Sequence, residues 1–182
     1  MLLGLLVCAP VQGGAPGPLD PELRQLLKSA IEEAESFDDR FAAEVWLKDM
    51  STRMEGWVDD PAERLKLLRL VHREATRAEI PPELVLAVIE VESSFNRFAV
   101  SRVGAQGLMQ IMPFWLEEIG HAEDNLFHME TNLRMGCTIL KYYLDIEDGN
   151  LRDALARYNG SLGRRTYPDK VFRALSERWF RQ

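Results

Sequence analysis

Cysteine is scarce: Cys8 and Cys137 are the only two in 182 residues. No pair stands at metal-ligand spacing, which excludes a zinc ribbon or finger. The three histidines, His72, His121 and His128, form no HExxH pattern. Neither a P-loop nor a GxGxxG turn occurs, so nucleotide chemistry loses its usual support. No metal and no cofactor is therefore expected. No run of 18 apolar residues exists, and a conventional membrane span is not expected either. Period-two alternation and hairpin turns between β-branched runs are also missing, which removes the main strand signals. Basic charge is in deficit, with Lys plus Arg at 22 against Asp plus Glu at 29, a net of −7. A protein that grips a phosphate backbone is usually basic, so nucleic acid is not an expected partner.

What is present is ordinary for a globular chain: 46% apolar and 28% charged residues. That suits one domain with a modest extension. The charge is uneven. Residues 150–182 hold eight basic side chains against three acidic ones, a net of +5, and the remainder carries −12. This basic tail reads first as a solvated surface and second as a face for an acidic polymer. At the other end, Met1-Leu2-Leu3-Gly4-Leu5-Leu6-Val7-Cys8 followed by small residues resembles a signal-peptide h-region with cleavage near Gly13. Residues 1–17 are thus expected to be a signal-like segment and linker. A lipid anchor at Cys8 ranks lower, because Val7 stands where a lipobox wants Gly, Ala or Ser.

Along the chain the fold class reads as mainly α. Asp20-Pro21-Glu22 and Asp60-Pro61-Ala62-Glu63 are N-cap signals with proline at the first helical position. They predict helices from Pro21 to about Ser36 and from Pro61 onward, with another opening at Asp38 or Asp39. In the latter, Phe41, Val45, Trp46 and Met50 are spaced to share a face; in the Pro61 helix Leu65, Leu68 and Val71 form a stripe with His72 at its boundary. Further helices are expected at about 82–94, 108–119, 130–147, 150–159 and 169–180. Loops rich in Ser, Gly and Arg separate them at 95–106 and 160–168.

Within the 82–94 helix one carboxylate is on the wrong side. At about 100° per residue from Leu84, Val88 falls near 40° and Val85 near 100°, while Glu92 falls near 80° and Glu90 near 240°. Glu90 is expected to be a solvated charge. Glu92 is expected to be desolvated, with a raised pKa, as a general acid requires. Helix geometry alone leaves a buried ion pair as an equal reading.

The residues that follow separate the two. Glu92-Ser93-Ser94-Phe95-Asn96 leads into Ser101, then Gly104-Ala105-Gln106-Gly107-Leu108-Met109-Gln110-Ile111-Met112-Pro113, and later Ala154-Leu155-Ala156-Arg157-Tyr158-Asn159-Gly160-Ser161. Three motifs in this order resemble the family 1 lytic transglycosylases over about residues 80–182. The resemblance implies a lysozyme-like helical domain with a glycan cleft, preceded by a helical extension over 18–79. It implies Glu92 as the single acid/base and Tyr158 as a hydroxyl close to it. It implies Ser93, Ser101, Gly107, Met109, Gln110, Asn159 and Tyr167 as cleft residues, with Met109 an apolar wall and Gln110 an amide for sugar groups. Arg157 and Gly160-Ser161 depart from the family's small residues, which bears on the shape of one cleft wall.

The implied substrate is the glycan strand of peptidoglycan, met in the periplasm or secreted cell envelope. The implied product is a 1,6-anhydro-N-acetylmuramic acid end. Two other readings stay open. A goose-type lysozyme-like hydrolase would be favoured by a second carboxylate across the cleft, with Glu117, Glu118 and Asp124 the nearby candidates in sequence. A non-catalytic glycan-binding or scaffold module would not need Glu92 buried.

Overall fold

Capping, apolar spacing and two left-handed turns decide where the helices begin and end. The computed structural model describes Ser36, residues 39–121 and residues 123–180. Among these, seven α-helices and one π-helical turn make up the regular structure, and β pairing is limited to isolated bridges. The chain is mainly α, as its periodicity predicts. The helix expected to run from Pro21 to about Ser36 lies, up to residue 35, outside the described residues, as do the signal-like segment and Cys8.

Helix α1, Arg40–Arg53, starts where the Asp39 carboxylate accepts the Ala42 amide at 2.7 Å. Its expected face divides. Ala43, Trp46, Leu47 and Met50 are buried, whereas Phe41 and Val45 are exposed. The buried arc is centred on Ala43 and Leu47, and Phe41 and Val45 lie about 160° around the helix from Ala43. Helix α2, Pro61–Arg77, opens on Asp60, which accepts the Ala62 amide at 3.0 Å. Leu65, Leu68 and Val71 are buried as expected, and His72 sits at the stripe's edge against the Trp46 ring.

Helix α3, Pro82–Ser93, buries every residue from Leu84 to Ile89. It ends abruptly because Ser94 and Phe95 both take positive φ, 50° and 64°. An L-residue there is strained, and two in succession reverse the chain. Burial of Phe95 between Trp57 and Trp179, with ring centroids 5.6 and 5.5 Å away, offsets that strain.

Helix α4 is only Phe114–Ile119, not 108–119. Gly107 (φ 77°) and Gln110 (φ 50°) are left-handed and cannot continue a right-handed helix. Residues 106–111 instead close a loop in which Gln106 and Ile111 exchange backbone hydrogen bonds of 2.9 Å. Helices α5 (Met129–Ile146), α6 (Leu151–Tyr158) and α7 (Thr166–Ala174) follow, and α7 runs into a π turn at Leu175–Trp179. Helix α3 packs against α2, α7 and the π turn, so it is held from three sides. One hydrophobic core reaches from Trp46 and Leu47 through Leu86 and Met109 to Trp179.

Candidate active site

Glu92 stands on the last turn of α3, just before the left-handed reversal at Ser94. Val91 and Glu92 open into a cavity of about 410 Å³ whose other walls are Asn159, Ser161, Arg164, Thr166, Tyr167 and Lys170. Glu92 is the one carboxylate in that lining. Burial pushes its pKa up to about 7, partly offset by the Tyr167 hydroxyl. The negative end of the α3 dipole disfavours its ionised form in the same sense. A carboxyl that keeps its proton near neutrality can donate it and take it back.

Two phenols share this environment. Burial, and next the Glu92 charge, hold Tyr158 and Tyr167 well above the usual tyrosine pKa, so both remain protonated. Their bonding differs. Tyr158 Oη donates to the Met109 carbonyl at 2.8 Å rather than to Glu92. The buried Tyr167 hydroxyl is near enough to pull the Glu92 pKa down, yet no partner meets hydrogen-bond geometry at its oxygen. The hydroxyl facing the acid is therefore that of Tyr167, while Tyr158 anchors a loop.

The other expected cleft residues separate into lining and support. Asn159, which ends α6, and Tyr167 line the cavity. Ser93 Oγ bridges to the carbonyls of Ile89 at 3.2 Å and Leu108 at 2.8 Å, tying the acid's helix to the 106–111 loop. Ser101 Oγ accepts the Ala105 amide at 3.0 Å and closes its own turn. Gln110 Nε2 donates to Ala99 O at 3.2 Å and Gly107 O at 3.0 Å, which engages the amide nitrogen expected for sugar groups.

Met109 corrects the expectation of an apolar cleft wall. Its side chain is 0% exposed and lies against Gly136, where an added Cβ would overlap the Met109 sulfur. Gly107 is likewise not a point of close approach for a ligand. Its left-handed φ and missing Cβ make room for Asn132 and the Leu126 carbonyl. Asn132, 1% exposed and absent from the sequence reading, holds the loop by three bonds: it accepts from Met109 N at 2.7 Å and donates to Gln106 O at 2.9 Å and Leu126 O at 2.8 Å. An asparagine on the buried stripe of an amphipathic helix was the available signal.

Glu90 also departs from its expectation. It is not a solvated charge: its side chain is 12% exposed, pairs with the Arg178 guanidinium, and accepts Trp179 Nε1 at 2.8 Å. The π turn inserts one residue per turn, which lets the adjacent Arg178 and Trp179 both reach this carboxylate. Glu117 and Glu118 are exposed, and Asp124 is paired with Arg134 at 2.7 Å; none of the three lines the Glu92 cavity.

Residues 69–177 match the family model described as "Transglycosylase SLT domain". The chain is 33% identical over 104 residues to a transglycosylase of Enterobacteria phage PRD1, covering 53% of this chain and 38% of that protein. It is 34% identical over 114 residues to the membrane-bound lytic murein transglycosylase C of Yersinia pestis, covering 54% and 32%. The chain thus spans about a third of the length of these relatives. Among solved structures it is similar to the 70 kDa soluble lytic transglycosylase of Escherichia coli, at 22% identity and TM-score 0.48, covering 84% of this chain and 29% of that one. An inactive mutant of the lytic transglycosylase Slt of Pseudomonas aeruginosa is similar at 22% identity and TM-score 0.49, covering 90% and 35%.

Proposed function

Since this chain belongs to the transglycosylase SLT domain family over residues 69–177, we propose that it is a peptidoglycan lytic transglycosylase with Glu92 as its single acid/base. The observation that carries this reading is a lone carboxyl with a pKa of about 7 in a cavity lined by no second acid. Glu92 donates its proton to the oxygen of the β-1,4 bond from N-acetylmuramic acid to N-acetylglucosamine, and that bond breaks. The resulting carboxylate takes the proton of the muramoyl C6 hydroxyl. The C6 oxygen attacks its own C1, closing a 1,6-anhydro ring with no water consumed. Intramolecular attack has a high effective molarity, so a second carboxylate to activate water is unnecessary.

Tyr167 sits beside the acid and stabilises its charged form. Tyr158, Ser93 and Asn132 position the loop next to it, and Asn159 offers an amide to the glycan. The catalytic unit is residues 80–182, braced by the helices before it, and it acts on wall polymer in the cell envelope. No helix among the described residues is long and apolar enough to cross a membrane.

Digestion of purified cell wall, with fragment ends assigned by mass spectrometry, tests the reading. Anhydro ends are expected. Reducing ends would indicate the hydrolase, and no release would leave the binding module.

A further inference from the structure

The basic excess of residues 150–182 is divided between two uses. Arg152, Arg157 and Arg178 pair with Asp169, Glu147 and Glu90. Arg164 and Lys170 do not: both line the Glu92 cavity, and neither bonds a carboxylate among the described residues. They stand on one stretch of wall, from the loop before α7 to its first turns, with Ser161, Thr166 and Asn159 as neutral hydrogen-bonding neighbours. Two like charges bordering one cavity repel each other and concentrate positive potential inside it. Glu92 bonds neither of them, and burial favours its neutral form.

We propose that Arg164 and Lys170 recognise a carboxylate carried by the muramoyl substituent of the glycan, and so make this wall the specificity element of the site. The inference rests on the peptidoglycan reading of the Glu92 cavity. In such a strand the sugars are otherwise uncharged, and the anion has two sources. One is a carboxylate of the stem peptide; the other is the lactyl carboxylate left when the stem is removed. Arg offers a planar fork for a carboxylate and Lys a mobile point charge, which together suit a group of variable position.

The test measures binding to insoluble wall by co-sedimentation in the Glu92→Gln background, so that cleavage does not interfere. Arg164→Gln and Lys170→Gln are compared with Arg165→Gln, which removes the same charge outside the cavity lining. Three walls are used: native, stem-stripped by an amidase, and carboxyl-neutralised by carbodiimide amidation.

Arg164→Gln and Lys170→Gln should each weaken binding to native wall by about tenfold, as loss of one charge-assisted contact implies. Neutralised wall should bind the unsubstituted protein as weakly as the variants, and the variants should show no further loss. Arg165→Gln should change binding less than about twofold. A stem carboxylate as source predicts that stripped wall behaves as neutralised wall; a lactyl carboxylate, free only where the stem is gone, predicts a larger difference on stripped wall than on native wall.

Equal losses on native and neutralised walls, or losses in Arg165→Gln as large as in the other two, would overturn the proposal. Failure of the parent protein to release any muropeptide would sink the transglycosylase reading alone, because the binding arm still decides the anion site.

Discussion

Glu90 receives the Arg178 guanidinium and the Trp179 indole, whereas Glu92, two residues on, has no cation bonded to it among the described residues and faces a cavity. Both are partly buried carboxylates on one helix. The first is neutralised by the C-terminal π turn, which fixes the end of α3. The second stays uncompensated on the backbone that the first has fixed. Rigid placement of an unpaired acid is what a proton donor and acceptor needs.

Glu92→Gln should abolish muropeptide release and preserve binding to wall. It should also stabilise the fold at alkaline pH. The folded pKa of Glu92, about 7, lies above the ordinary 4.5. The native state therefore binds more protons than the unfolded chain between these values, and stability falls as pH rises through about 7. A shift of that size corresponds to about 3 kcal/mol at full ionisation. Thermal melts should show the variant more stable than the parent at pH 8.5, and no such gain at pH 4.

The same proton sets the rate profile. Cleavage begins with protonated Glu92, so kcat/KM should decline above about pH 7. A profile flat to pH 9 would place the catalytic proton elsewhere.

Tyr167→Phe and Tyr158→Phe should separate by what they disturb. Losing the Tyr167 hydroxyl removes a group that lowers the Glu92 pKa, so the alkaline limb should move to higher pH and the rate should fall about tenfold or more. Stability should be little changed below about pH 7, where Glu92 is protonated, and lowered at alkaline pH, where the hydroxyl supports the carboxylate. Tyr158→Phe frees the Met109 carbonyl and should cost about 1 kcal/mol of stability, with the alkaline limb unmoved. Paired melts and pH profiles distinguish the two.

Glu90→Gln should destabilise the fold by about 1–3 kcal/mol, since the amide cannot pair the Arg178 charge and offers one acceptor where two are used. Chemical denaturation measures this directly. Unchanged stability would mean that the π turn is held by Trp179 packing alone.

Asn132→Ala leaves Met109 N and the Leu126 carbonyl unpaired, takes one of two donors from the Gln106 carbonyl, and should cost about 3 kcal/mol. The 106–111 loop should then exchange its amide hydrogens faster than α5 does, which hydrogen exchange would report.

Local physics made much of this chain legible before its structure. Asp39 and Asp60 are caps because a side-chain oxygen must meet a free amide within a few residues. The stripe of Leu65, Leu68 and Val71, and the position of Glu92 on the apolar side of α3, follow from helical period alone. The helix expected from residue 108 does not form there, because left-handed φ at Gln110 is a property of the folded loop, not of glutamine. Period also cannot say what covers a face. Glu90 looked solvated until a π turn 88 residues away supplied its partners. Met109 looked like cleft wall until Gly136 admitted it to the core, and Tyr158 looked like the acid's partner until its hydroxyl met a carbonyl 49 residues back. Arg164 and Lys170 read as two charges in a basic tail. Only the packing of α7 against α3 brings their wall to Glu92, because the energy of a charge depends on neighbours that chain distance does not specify.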